Sequence, residues 1–277
     1  GVDDQAAGWT GMSTFSDVPS GVWYEGYVNY CASLGIIAGV GGGKFNPNGA
    51  VTGVELAKML LVVADYKPEI EGYTGAGWNL NVIRDAQTAG MFKGYTLAYS
   101  AAATREQAAQ LFANAILETE MAVYIGDTRV NDLAAITNTD TIGGRYFGLF
   151  TVTGILTKVQ HVDLPLTYGV NDTVANGTAS SLNTNDNLSE ISNVQRVNGN
   201  TTVVPTTFEF AADPDLLYQE VDVIFREDTD DPGVLSRNVK VYAVLPTGNT
   251  YVYDTTMDAI TIDLKDNSKN VSYVQGA

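Results

Sequence analysis

Residues 15–66 read FSDVPSGVWYEGYVNYCASLGIIAGVGGGKFNPNGAVTGVELAKMLLVVADY, and this stretch decides the fold. It spells two helices around a glycine-rich loop. The first is expected to begin after Pro19 and to bury a stripe of Trp23, Tyr27, Val28, Cys31 and Leu34, which are spaced for one helical face. Gly35 ends it, because a helix commonly closes on a left-handed residue that glycine adopts without strain. Gly41-Gly42-Gly43 and Asn46-Pro47-Asn48-Gly49 read as loop. Thr52-Gly53-Val54-Glu55 is a capping box: the hydroxyl accepts from the N3 amide while the carboxylate accepts from the cap amide. Leu56, Met59, Leu60 and Val63 form the core stripe of the second helix.

The pattern recurs. Trp78 and Gly90 follow Trp23 and Gly35 by 55 residues, whereas Thr104 follows Thr52 by 52, so the second loop is three residues shorter. Thr104-Arg105-Glu106-Gln107 repeats the capping box with Gln as the closing residue, ahead of Ala108, Leu111, Phe112, Ala115 and Ile116. In the second copy's first helix, from Trp78 to Ala89, Leu80, Val82, Ile83 and Ala86 are the apolar face, with Arg84 and Asp85 turned outward or into a groove. Helical units of this size cannot bury their apolar faces alone and are expected to stack.

These residues resemble the S-layer homology (SLH) domains of bacterial cell-surface proteins. The resemblance is carried by Phe15-Ser16-Asp17-Val18, Trp23-Tyr24, Leu34 to Gly39, Phe45-Asn46-Pro47-Asn48 and Val51 to Glu55. In the second copy it rests on Ala103-Thr104-Arg105-Glu106, which is similar to the family's Thr-Arg-Ala-Glu signature. It covers about residues 14–120 and implies non-covalent attachment to a secondary cell-wall polysaccharide, often a pyruvylated one, in grooves between repeats. The family usually works with three repeats around a pseudo-threefold axis, and two are legible here. The third position is left to residues 121–148, to another chain, or empty.

Bulk properties narrow the setting. Fifteen Lys and Arg stand against 32 Asp and Glu, a net charge of −17, with the acidity spread over both halves. That argues against nucleic acid, whose phosphates demand a basic footprint, and against an anionic membrane surface. No apolar run is long enough to span a bilayer, so membrane insertion is not expected. The chain starts at Gly1 and reads as a mature or trimmed segment. Residues 1–13 are small and polar, a loose arm. Cys31 is the sole cysteine, so no intrachain disulfide forms, which counts against an animal extracellular domain and is compatible with a Gram-positive surface.

The remaining segments divide as follows. Asp65 to Gly77, with Pro68 and three glycines, reads as a crossing loop. Val130 to Ile136 is expected to be a short helix and Thr141 to Gly148 a turn. Beyond these the period shifts to two. Phe150 to Gln160 reads as a strand bulged at Gly154, followed by strands at Thr202–Phe210, Glu220–Arg226, Asn238–Leu245, Thr250–Asp254 and Ile260–Leu264. Asn171 to Ser192 reads as a long loop or irregular hairpin, and Asp213-Pro214 as a cap with proline at the first helical position. The expected fold class is therefore multidomain α and β: all-α helix-loop-helix repeats at 14–70 and 71–120, a linker at 121–148, and an antiparallel β sandwich or barrel-like domain at 149–277.

Chemistry-bearing groups are sparse. His161 is the only histidine, lies far in sequence from Cys31, and makes no nucleophilic pair or zinc cluster. Gly39 to Gly43 lacks the ending of a phosphate loop. Asn183 to Asn187 and Asp228 to Asp231 lack the spacing of a calcium hand and read as solvated loops. No catalytic residue, metal or cofactor is assigned. The glycan-contact candidates are Arg105, Thr104, Asp17, Trp23, Trp78 and Lys44. Arg105 sits at N1, where a guanidinium can fork onto a carboxylate and the positive end of the helix adds to the field. Pairing with Glu106 or a neighbouring acid is the alternative use of that guanidinium. Its counterpart in the first copy is Gly53, which has no such group.

The expected function is a non-catalytic surface protein, extracellular and bound to the cell wall through its polysaccharide. Its β-domain would serve assembly or spacing, and copies of the chain would be its other partners in a lattice. Two alternatives stand beside it. One is a wall-anchored carbohydrate-active enzyme fragment, since glycosidases need only two carboxylates. The other is an SLH-fold protein-interaction module that has lost glycan binding.

Overall fold

The computed structural model describes residues 2–12, 14–95, 98–130, 140–159, 188–199, 201, 203–227, 239–249, 260–263 and 270–273. The chain divides into two compact units, Gly1–Tyr146 and Phe147–Ala277.

In the first unit the helices are α1 (Val2–Ala7), α2 (Glu25–Ser33), α3 (Gly53–Val63), α4 (Pro68–Glu71), α5 (Trp78–Thr88) and α6 (Arg105–Leu117). Both capping boxes form. The Glu55 amide donates to Thr52 Oγ1 while the Thr52 amide donates to the Glu55 carboxylate. Thr104 and Gln107 repeat the exchange at α6. Gly35 and Gly90 close α2 and α5 at φ +71° and +75°, the left-handed region that a β-carbon disfavours.

The main core joins α3 to α5 and α6. Ala57, Leu61, Ala64, Val82, Ala86, Leu111 and Ala115 are completely covered there. Each fully buried leucine or valine side chain contributes about 1.5–3 kcal/mol. A separate small cluster gathers Phe15, Val18 and Val28 with Tyr24, Ile37 and Phe45 around α2.

Several expectations need correcting. Helix α2 begins at Glu25, and Trp23 lies ahead of it, 83% exposed. The buried side of α2 is Glu25, Gly26, Val28 and Asn29; Tyr27 and Leu34 are exposed and Cys31 is half-buried. The reason is local: polar groups in the preceding loop claim that side. Glu25 accepts from the amides of Gly11 and Gly21, each at 2.8 Å, and Asn29 donates to the carbonyls of Trp9 and Met12. The same bonds order the N-terminal arm, whose helix α1 packs Ala6 against Gly26, so close that a β-carbon on Gly26 would lie 2.3 Å from Ala6 O. Residues 65–77 are not all loop, since Pro68 opens α4 at a position where its missing amide costs nothing. Leu80 and Phe112 are exposed.

Asp85 is neither outward nor in a groove. It is buried, accepting from Tyr73 Oη at 2.8 Å, from Arg84 at 3.0 Å and from Arg129 Nη2 at 2.9 Å. Arg129 belongs to a hairpin absent from the sequence reading, β1 (Tyr124–Ile125) and β2 (Thr128–Arg129). Its guanidinium also meets Glu71 at 3.1 Å and lies over the Tyr66 ring. Burial alone would push the Asp85 carboxyl up, but Arg84, Tyr73 and Arg129 outweigh it and hold the group below the ordinary aspartate range. A turn of π-helix, Gly143–Phe147, stands where a simple turn was expected. The short helix expected at 130–136 falls on residues outside those described, apart from Val130.

The second unit carries one curled antiparallel sheet, ordered β5-β4-β3-β6-β7. Its strands are β3 (Phe150–Lys158), β4 (Ser189–Asn198), β5 (Thr207–Phe208), β6 (Glu220–Glu227) and β7 (Val239–Pro246). Alternation buries Val221, Val223 and Phe225 on one face with Val152, Leu156, Ile191 and Phe208. The β3–β4 register slips at Gly154, where a β-carbon would lie 2.9 Å from Ser192 O. Strand β4 was missed because its first residues fall inside a segment read as loop, and β5 is far shorter than the strand expected at 202–210. Asp213 caps a short 3₁₀ turn at Pro214–Leu216 as expected. A separate hairpin pairs β8 (Ile260–Asp263) with β9 (Asn270–Tyr273). The strand expected at 250–254, His161 and the Asn183–Asn187 and Asp228–Asp231 runs lie outside the described residues.

Candidate functional site

The N-termini of α3 and α6 lie side by side. Thr52 and Ala102 form an antiparallel bridge, and the Ala103 amide donates to Val51 O at 2.9 Å. Sequence makes these two ends alike, with a threonine cap and a closing Glu or Gln, yet their surroundings differ.

At α3 the end is closed. The Gly53 amide donates to Ala101 O at 3.2 Å and the Val54 amide to Tyr99 O at 2.8 Å, so backbone carbonyls occupy the place an anion would take. Gly53 itself is buried, and a β-carbon there would lie 2.6 Å from the Tyr95 phenol oxygen. Tyr95 is held by Phe92 and Tyr99, with which it forms an aromatic cluster.

At α6 the end is open. Arg105 and Glu106 are exposed, and no backbone bond from a described residue caps their amides. Among the described residues Arg105 makes no ion pair, so the alternative pairing with Glu106 is not formed. Thr104 Oγ1 is committed to the Gln107 amide.

The other candidates have distinct surroundings. Trp78 is the first residue of α5 and packs against the core, with Lys58 Nζ 5.2 Å from its ring centroid. Burial pulls the Lys58 ammonium below its ordinary range. Trp23 is exposed and stands edge-on to Tyr24 at 5.5 Å. The Asp17 carboxylate accepts from the amides of Phe45 at 2.7 Å and Asn46 at 2.8 Å. The Phe45 amide is the largest influence holding that carboxyl below the usual aspartate range; burial opposes it, and the Asn46 amide and Lys44 add to it. Lys44 closes the turn after Gly41, Gly42 and Gly43, all at positive φ, with an exposed side chain. Asp17, ahead of α2, is therefore tied to the loop that carries Lys44, and Thr104 and Arg105 share one helix end. No hydrogen bond, ion pair or ring contact among the described residues joins Arg105 to Asp17, Trp23 or Lys44.

The S-layer homology domain model matches residues 14–57. Residues 14–57 are an S-layer homology domain. Over 118 residues, 43% of its length, the chain is 30% identical to a protein of Thermoanaerobacter kivui named "Cell surface protein", and it spans 14% of that relative. No solved structure matches. The S-layer homology domain makes this a cell-surface, wall-associated chain. Asp17, Trp23, Lys44 and Gly53 lie within the matched S-layer homology domain, whereas Trp78, Thr104 and Arg105 lie beyond it. No described helix is long and apolar enough to cross a membrane, and no described cluster of three His, Cys, Asp or Glu is arranged for a metal.

Two further features escaped the sequence reading. The plug of Tyr95, Tyr99 and Ala101 over α3 has no motif, because its bonds come from backbone carbonyls. The other is an open groove of about 440 Å³ lined by Val62, Asp65, Tyr66, Lys67, Glu69 and Tyr124. It sits at the far end of α3, some nine residues and roughly 13 Å from Gly53 at the helical rise. Its Lys67 is drawn over the Tyr124 ring at 4.6 Å.

Proposed function

We propose that the chain is a non-catalytic wall anchor whose helical region is two degenerate copies of one unit and binds an acidic, pyruvylated secondary cell-wall polysaccharide. The observation that carries the reading is the contrast between the two helix ends. The α3 end is filled by the chain's own carbonyls, while at the α6 end the exposed Arg105 and Glu106 have no described backbone partner for their amides and Arg105 no described ion-pair partner. A pyruvyl carboxylate would accept a forked pair of bonds from Arg105 and gain from the helix dipole. Thr104 fixes that end, and Trp78 offers part of its ring. Asp17 serves the fold of the glycine loop, and Trp23 and Lys44 supply an exposed aromatic face and a cation on the first copy. The β unit, read as barrel-like or as one layer of a sandwich, serves spacing or lattice assembly.

The test is co-sedimentation with wall sacculi before and after the secondary polymer is stripped. Binding that disappears with the polymer supports the proposal, and equal binding to both preparations, or to neither, refutes it. A carbohydrate-active fragment would instead cleave the polymer. A protein-interaction module would bind a partner protein and ignore the sacculi.

A further inference from the structure

The spacing of the two copies lets each helix position be compared with its counterpart. In α5, Val82, Asp85 and Ala86 are buried, Ala89 packs on the same cluster, and Trp78 lies beneath Lys58 of α3. Fifty-five residues earlier stand Tyr27, Tyr30, Cys31, Leu34 and Trp23. None of these is buried: Trp23 is 83% exposed and Leu34 52%. Among the described residues this face is met along one edge, where the Tyr27 and Tyr30 hydroxyls donate to Asp3 and Gln5 of α1 and the Trp9 ring lies 6.3 Å from that of Tyr30.

The reverse comparison gives the complementary result. Helix α3 buries Ala57, Leu60 and Leu61, and its C-terminal cap Ala64 is buried with them. Fifty-two residues later α6 carries Ala109, Phe112, Ala113 and Ile116, of which the first three are exposed. Among the described residues the first unit thus holds one complete α3–α5 contact and two halves of the same contact. Helix α2 is an α5-like helix without its α3, and α6 is an α3-like helix without its α5.

We propose that α6 of one molecule seats on α2 of a second copy, continuing between chains the packing that α3 makes with α5 inside one. The two faces differ, so the association is head-to-tail, and its rotation decides between a ring and an open row. Each chain carries −17, so repulsion opposes contact at low salt and added salt strengthens it. The inference rests on the two-copy reading of the helices and not on glycan binding, so it is tested with no glycan present.

Sedimentation velocity of the full chain across a concentration range, in low and in moderate salt, reads the outcome. Leu34→Glu blocks the α2 face and Phe112→Glu the α6 face. Wild type is expected to associate with concentration, more so with salt, and each variant alone to sediment as a monomer. Their equimolar mixture should form a one-to-one dimer and nothing larger, because one retains α6 and the other α2. Circular dichroism checks folding, and Trp23→Asp with Ala113→Glu provides a second pair if either first variant unfolds. Wild type that stays monomeric, a single variant that still self-associates, or a mixture that does not pair each overturns the proposal.

Discussion

The phenol oxygen of Tyr95 stands 2.6 Å from where a β-carbon on Gly53 would be, in the first turn of α3. Gly53→Ala should therefore destabilise the helical unit by about 1–2 kcal/mol through overpacking, despite alanine's helical preference of about 1 kcal/mol. In a Tyr95→Phe background that cost should fall by at least half. Tyr95→Phe alone should change little, because the buried hydroxyl has no hydrogen-bond partner. A urea double-mutant cycle measures all three.

Arg105→Ala should weaken polysaccharide binding by about 1.5–3 kcal/mol, the range for a hydrogen bond to a charged group, while leaving the melting temperature unchanged. Arg105→Lys should fall between, keeping the charge and losing the fork. Titration calorimetry with purified polymer reads both. Gly53→Arg should not create a second site, since the α3 end is already filled.

Asp85→Asn should destabilise the helical unit by about 3 kcal/mol at neutral pH, because it removes the buried charge that Arg129 faces. The folded carboxyl titrates below its unfolded value, so its contribution is complete above that value and is lost as pH falls through the folded one. The gap between wild type and Asp85→Asn should stay constant from about pH 5 to 8 and narrow below about pH 4. Denaturant melts across that range give the answer.

Asp17→Ala should free the glycine loop without unfolding the helices. The carboxylate accepts from the Phe45 and Asn46 amides, and its titration is likewise depressed, so the clamp holds above the ordinary aspartate value and loosens in acid. Hydrogen exchange should accelerate at those two amides while the α3 amides keep their protection.

Much of the helical half is written in short-range chemistry. Thr52 with Glu55 and Thr104 with Gln107 place two helix starts to the residue, because a capping box is a local bargain between side chain and backbone. Gly35 and Gly90 mark the ends for the same kind of reason. Which face is buried was harder to read. The apolar stripe from Trp23 to Leu34 looked like core, yet Glu25 and Asn29 hold the buried side through bonds to residues 9–21 that no periodicity encodes. Among the candidate residues, Arg105 is legible as the exposed N1 cation. Closure at Gly53 was not, since it depends on carbonyls 46 and 48 residues away. In the β unit, β3, β6 and β7 announce themselves by alternation. The middle of β4, Ser192 to Arg196, is exposed and, apart from Val194, polar, and gives no such signal.

One guanidinium holds several elements at once: Arg129 touches Glu71 of α4, Asp85 of α5 and the Tyr66 ring. A shortened chain ending at Glu120 would keep all six helices and both caps, yet it would strand two covered carboxylates without that counter-charge. The smallest autonomous piece of this region therefore reaches through Arg129, well past the last helix, and truncations made at the helix boundary should yield insoluble or loosely folded protein.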